Sequence, residues 1–215
     1  MLVRVPGTDG GEIPTAWSPA RAILDGTNGR AHSYRCGTYP ETTMIRSTPP
    51  TPATGTYRIA AARSTVGFQT NHLFGLTNVA GTFAVRCGHI VIASPVTASR
   101  ATATIDAASF STLNRRRDAA VRSAKFLDTA HHPDITFTSH GLRRYGSEWV
   151  LHGDLTVRAT THPVELTIEH IQTRDGELRA QATALIDRYA FGLTKARAIT
   201  SRYLNVILDV TATRN

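Results

Sequence analysis

Cysteine is nearly absent from the chain: of 215 residues, two, Cys36 and Cys87, carry a thiol. Residues so few and so far apart make no CxxC unit, no disulfide framework and no four-thiolate zinc site. Lysine is as rare, with Lys125 and Lys195 standing in a basic complement of 24 that is otherwise arginine. The formal charge is +8, yet the one tight basic run, Arg115-Arg116-Arg117, is followed at once by Asp118. The single-sided patch of a nucleic-acid binder is therefore missing, and no nucleic-acid partner is expected. Long apolar runs are also lacking; Ile90-Val91-Ile92-Ala93 falls far short of the roughly 18 residues of a membrane helix, so no transmembrane segment is expected. Neither G-x-S-x-G nor a glycine-rich phosphate cradle occurs, which removes the commonest sequence signs of serine hydrolases and nucleotide-binding folds.

What is present divides the chain. Apolar residues make up 41% and charged residues 19%, values near those of ordinary globular domains. Prolines crowd the first 55 residues (Pro6, Pro14, Pro19, Pro40, Pro49, Pro50 and Pro52), where apolar residues show no period. Such a stretch cannot bury enough surface to offset its ordering entropy, so residues 1–55 read as a disordered tail before a domain over 56–215. Cys36 lies in that tail with no partner cysteine or basic helix terminus near it in sequence and reads as an incidental thiol. The opening Met1-Leu2-Val3-Arg4-Val5-Pro6 does not continue into the apolar core of a secretory leader, so a cytoplasmic location is expected unless the chain starts elsewhere. Deleting residues 1–54 should leave the thermal melting curve unchanged; a large loss of melting temperature would show that the tail packs on the domain.

From Tyr57 the texture becomes strand-like alternation. Val79, Gly81, Phe83 and Val85 share one face, as do Ala101, Ala103 and Ile105, then Ile135 and Phe137. Trp149, Leu151, Gly153, Leu155 and Val157 repeat the pattern, followed by Val164, Leu166 and Ile168. Leu178, Ala180, Ala182 and Ala184 come next, and Leu204, Val206, Leu208 and Val210 close the series. Threonines such as Thr82, Thr102 and Thr136 take the opposite face. One-sided alternation in about eight strands indicates antiparallel pairing, and Tyr145-Gly146-Ser147 and Arg174-Asp175-Gly176 read as hairpin turns. The fold class is therefore all-β: an eight-stranded antiparallel barrel. Between Ser109 and Asp128 the spacing of Leu113, Ala120, Val121, Ala124 and Leu127 fits a helical crossover, with Ser123 placed to cap a last short turn. The inward set Gly81, Ala101, Ala103, Gly153, Ala180, Ala182 and Ala184 is small for a solid core and leaves room for a tunnel.

Several blocks in order resemble the YceI-like family of polyisoprenoid-binding proteins over about residues 57–213. These are Tyr57-Arg58-Ile59, Ser64-Thr65-Val66-Gly67-Phe68 with His72-Leu73, and Val79-Ala80-Gly81-Thr82-Phe83. The most specific block runs from Arg117-Asp118 through Val121-Arg122-Ser123 and Lys125-Phe126-Leu127-Asp128 to Pro133-Asp134-Ile135-Thr136-Phe137-Thr138-Ser139. Gly153-Asp154-Leu155-Thr156-Val157, Thr161-His162-Pro163-Val164 and Arg188-Tyr189-Ala190-Phe191-Gly192-Leu193 complete it. The chain departs from the family at Ala60, Ala61, Arg63 and Ala159.

The resemblance implies a lipocalin-like barrel that binds, carries or sequesters an isoprenoid or isoprenoid-quinone type lipid in its lumen without catalysis or cofactor. Self-association into a homodimer is left open. The residues placed against that ligand are Phe68, His72, Val79, Gly81, Phe83, Ala103, Ile105, Phe126, Ile135, Phe137, Leu151, Leu155, Leu166, Ala180, Ala182, Ala184 and Val206. The competing reading is an enzyme acting on an isoprenoid or other small apolar substrate. His131, His132 and Asp134 are not expected to bind metal, because adjacent residues of an extended segment point to opposite faces. Arg117-Asp118 is expected to anchor the helix as an ion pair.

Overall fold

A computed structural model describes residues 52–72, 77–196 and 200–215. Of the tail expected over residues 1–55, residues 1–51 lie outside the described residues, and Gly55 already opens the first strand. Strands run β1 Gly55–Ile59, β2 Thr65–His72, β3 Thr77–Ile92, β4 Arg100–Ser111, β5 Asp134–Tyr145, β6 Glu148–Val157, β7 Thr160–Arg174, β8 Glu177–Asp187 and β9 Tyr203–Arg214, with α1 over Arg115–Arg122 between β4 and β5. All pairings are antiparallel, and contact between β3 and β4 closes the sheet on itself. β1 and β2 lie end to end in one place between β3 and β9, so nine strands make a closed barrel of eight positions. The break between them is the 3₁₀ turn Ala61–Arg63, where the sequence departs from the family it resembles. Ser64 secures it, its hydroxyl donating to the Ala60 carbonyl at 2.9 Å and accepting from the Thr211 amide at 3.1 Å.

The hairpin signals are realised. Asp175 and Gly176 both have positive φ, the type I′ pattern that matches strand twist, whereas in Gly146-Ser147 only Gly146 does. Four register shifts interrupt the ladders, and at two of them the inward apolar series can be followed across the break. The register of β3 slips at Arg86, between the pairs Val85↔Ile105 and Cys87↔Thr104, and that of β7 slips at Glu169, between Ile168↔Ala182 and His170↔Gln181. Each extra residue moves the inward series by one position, from Val85 to Ile90 and from Ile168 to Ile171, and keeps apolar side chains inside.

Two expectations need correction. Ser109–Ser111 belong to β4, and the helix is confined to Arg115–Arg122. Leu113, expected on its apolar face, is 99% exposed at φ 59. The helix starts at Asn114, whose side chain accepts from the Arg117 amide, a regular N-cap. Ser123 ends it instead of capping another: its hydroxyl donates to the Ala120 carbonyl, and its own carbonyl closes the following turn on the Phe126 amide. The second correction concerns Asp118, which takes hydrogen bonds from the amide and hydroxyl of Thr112 at 2.9 and 2.6 Å. Arg117 reaches the same hydroxyl through Nε at 2.7 Å, so Thr112 stands between the pair.

The deepest side chains, Tyr57 and Leu178, lie toward the end built by β1, where Leu178 and Ile59 both pair with Ala212. Burying each contributes about 1.5–3 kcal/mol. The Tyr57 hydroxyl donates to the Ala53 carbonyl at 2.8 Å, so a truncation meant to leave stability intact should begin at Pro52 rather than Gly55.

Candidate ligand cavity

The inward faces of the strands enclose a cavity of about 220 Å³. β8 supplies Ala180, Ala182, Ala184 and Ile186; β9 supplies Leu204, Val206, Leu208 and Val210; β4 supplies Ala101, Ala103 and Ile105. Among the described residues, Thr102 and Arg188 are the only polar ones in the wall, and no Asp, Glu, His, Cys or Ser contributes to it. Arg188 is itself committed: its guanidinium donates to the carbonyls of Ser201 at 2.8 Å, Lys195 at 2.9 Å and Thr200 at 3.0 Å, and to that of Leu193. It fixes the turn that carries Phe191 and Leu193 onto the wall. Such a lining can exclude water and hold apolar matter by contact, but it presents no acid, base or nucleophile to it.

Of the residues placed against the ligand from sequence, Phe83, Ala103, Ile105, Ile135, Phe137, Leu151, Leu155, Leu166, Ala180, Ala182, Ala184 and Val206 line this cavity. Phe68, Val79, Gly81 and Phe126 lie off it. Phe68 stacks on Phe110 with ring centroids 5.3 Å apart, and Phe83 meets both rings. Gly81 is small for that cluster and not for a ligand, since a Cβ there would stand 2.5 Å from the Phe68 ring and 2.6 Å from the Ser111 carbonyl. Gly153 is likewise filled by the Phe137 ring at 2.7 Å. After α1 it is Leu127, 5% exposed, and not the half-buried Phe126 that reaches the wall. His72 ends β2, and its side chain lies outside the described residues.

Sequence reasoning missed Arg188, Phe191 and Leu193, although all three stand in a quoted block; they leave the strand alternation and carry no periodic signal. The expected non-ligands diverge: His131 Nδ1 lies 2.9 Å from Asp128 Oδ1, and Asp134 pairs with Arg86. The neighbouring His131 holds the Asp128 carboxyl below its usual range, with burial opposing.

The family model of the YceI-like domain matches residues 57–212. The chain belongs to the YceI-like family. Among relatives, it is 33% identical over 122 residues to a UPF0312 protein of Pectobacterium carotovorum, covering 54% of this chain and 64% of that one. It is 40% identical over 78 residues to protein YceI of Escherichia coli O157:H7, covering 36% and 41%. These matches span less than two thirds of the relatives' length. The YceI-like barrel is similar to the crystal structure of BcnA from Burkholderia cenocepacia, with TM-score 0.63 and 19% identity over 72% of this chain and 99% of that one. It is also similar to a polyisoprenoid binding domain from Saccharophagus degradans, with TM-score 0.58 and 14% identity over 76% and 100%. At such identities the likeness supports the fold alone.

Proposed function

We propose that this YceI-like barrel binds a long apolar chain of isoprenoid type in its lumen and carries or sequesters it without changing it. The observation that carries the reading is the cavity wall: apolar side chains from the barrel strands, thinned by alanines, with its one charged residue tied to backbone carbonyls. Each buried CH₂ contributes roughly 0.8 kcal/mol, so a five-carbon unit contributes about 4 kcal/mol before ordering costs. A volume of about 220 Å³ is below the roughly 300–1,000 Å³ of drug-sized pockets, so a long chain requires rings such as Phe83 and Phe137 to turn aside. The Saccharophagus degradans neighbour, described as a polyisoprenoid binding domain, supports the same chemistry.

Organic extracts of the purified full chain should yield an isoprenoid lipid in near-stoichiometric amount by mass spectrometry. In reloading experiments, affinity should rise with isoprenoid length until the lumen is full. Extracts free of apolar lipid, together with no retention of added isoprenoids, would overturn the reading. Conversion of the lipid would favour the enzyme.

A further inference from the structure

The barrel wall is not hydrogen-bonded along its whole height. β7 and β8 are paired from Thr167↔Thr183 to Arg174↔Glu177, but β7 begins at Thr160 and β8 continues to Asp187. Extending the register would set Glu165 opposite Leu185 and Pro163 opposite Asp187, and no ladder pair joins these stretches. Two local features account for the parting. Pro163 has no N–H to give a ladder, and the bulge at Glu169 adds twist just where pairing starts.

Between the parted strands lies a cleft of about 920 Å³. It shares Val164, Ala184, Ile186, Phe191 and Val206 with the lumen, so the two spaces adjoin through the wall. Phe191, 3% exposed and met edge-on by His162 at 5.3 Å, stands on that boundary.

The cleft differs from the lumen in chemistry. His140, His152 and His162 line it, together with Asn205 and Glu165. His140 Nε2 lies 2.8 Å from Asp154 Oδ2, and His152 Nδ1 lies 3.3 Å from Glu165 Oε1. His152 Nε2 is buried with no hydrogen-bond partner among the described residues, an unmet polar atom on a residue that lines the cleft. Among the described residues no Arg or Lys lines the cleft, while Glu165 and Asp187 do, Asp187 being paired with Arg202 at 2.6 Å. Such a surface repels an anion and offers hydrogen bonds to a neutral group.

We infer that the cleft between β7 and β8 is a lateral mouth of the lumen, through which the apolar chain enters and at which its head group rests, and that this head group is uncharged and hydrogen-bonding. The inference rests on the reading of the lumen as a site for an apolar chain.

The test uses the full chain with Cys36→Ser and Cys87→Ser, and geranylgeraniol as the probe. Leu185→Cys and, on the opposite wall, Glu165→Cys each place a thiol at an exposed lip of the cleft. Arg174→Cys places one at the exposed β7–β8 turn, the far end of the paired stretch of these strands. Bound alcohol should slow maleimide labelling about tenfold at positions 185 and 165 and leave position 174 unchanged. Geranylgeranyl diphosphate should bind about tenfold more weakly than the alcohol, as like charge at the cleft requires. Alcohol that binds with unchanged labelling at both lips would overturn the lateral mouth and leave the lumen reading standing. A diphosphate that binds as tightly as the alcohol would overturn the uncharged head group. If neither probe is retained, the lumen reading falls and this inference with it.

Discussion

Ala182→Phe should abolish lipid retention, weakening isoprenoid binding about a hundredfold or more, while the barrel stays folded. Ala182 faces inward on β8 between Ile168 and Leu208 of its neighbours and lines the cavity. Cavities of about 150 Å³ lined by Leu, Ile and Phe accept benzene, so a lumen of about 220 Å³ has space for one phenyl ring and little besides. Where a ring finds no such space, overpacking costs about 1–3 kcal/mol, which in a domain of this size lowers the melting temperature by a few degrees. The outward neighbour Gln181→Phe serves as the control and should bind like the parent. Lipid retention and thermal melting of both variants decide the matter. An Ala182→Phe protein that folds and binds normally would move the ligand out of the lumen, and one that unfolds would show a wall already packed solid.

Ala182 was legible in the sequence because nothing interrupts β8: Leu178, Ala180, Ala182 and Ala184 keep one period, and the turn at Asp175-Gly176 sets their register against β7. The same rule fails at Arg86 and Glu169, where one inserted residue changes the phase and neither side chain announces it. It fails again around α1, because apolar spacing from Leu113 to Leu127 matches a helical face by coincidence, although Leu113 points to solvent. Small residues carried a double meaning that only packing separates. Ala103, Ala180, Ala182 and Ala184 leave space, whereas Gly81 and Gly153 make way for aromatic rings of the same molecule. The parting of β7 and β8 was written in part by Pro163, but a proline in a strand marks an edge without saying that the edge opens on a lumen.

Asp118→Ala should cost about 3–5 kcal/mol, the usual penalty for breaking a buried charged network, and lower the melting temperature by about 10 °C. Helix α1 is only eight residues long, too short to persist on its own, so its place depends on what ties it to β4. That tie is the buried Asp118 carboxylate. Burial alone would push its proton affinity up, but the hydrogen bonds from the Thr112 hydroxyl and amide, aided by Arg122 and Arg117, outweigh it and hold the group below the usual carboxylate range. A carboxyl depressed in the folded state stabilises fully above its unfolded value of about 3.9 and loses that contribution as pH falls through the lower folded value. Asp118→Asn keeps the shape and removes the charge, so its deficit against the parent should be widest at neutral pH and shrink as pH falls below the unfolded value of about 3.9. No deficit for Asp118→Asn at neutral pH would mean that shape, not charge, holds the helix. The consequence reaches the lumen through one residue: the Leu127 amide is tied to the Val121 carbonyl at 2.9 Å, and Leu127 lines the cavity. Loosening α1 should therefore raise the rate at which a bound chain escapes, measurable as faster lipid exchange from Asp118→Asn at a temperature where it remains folded.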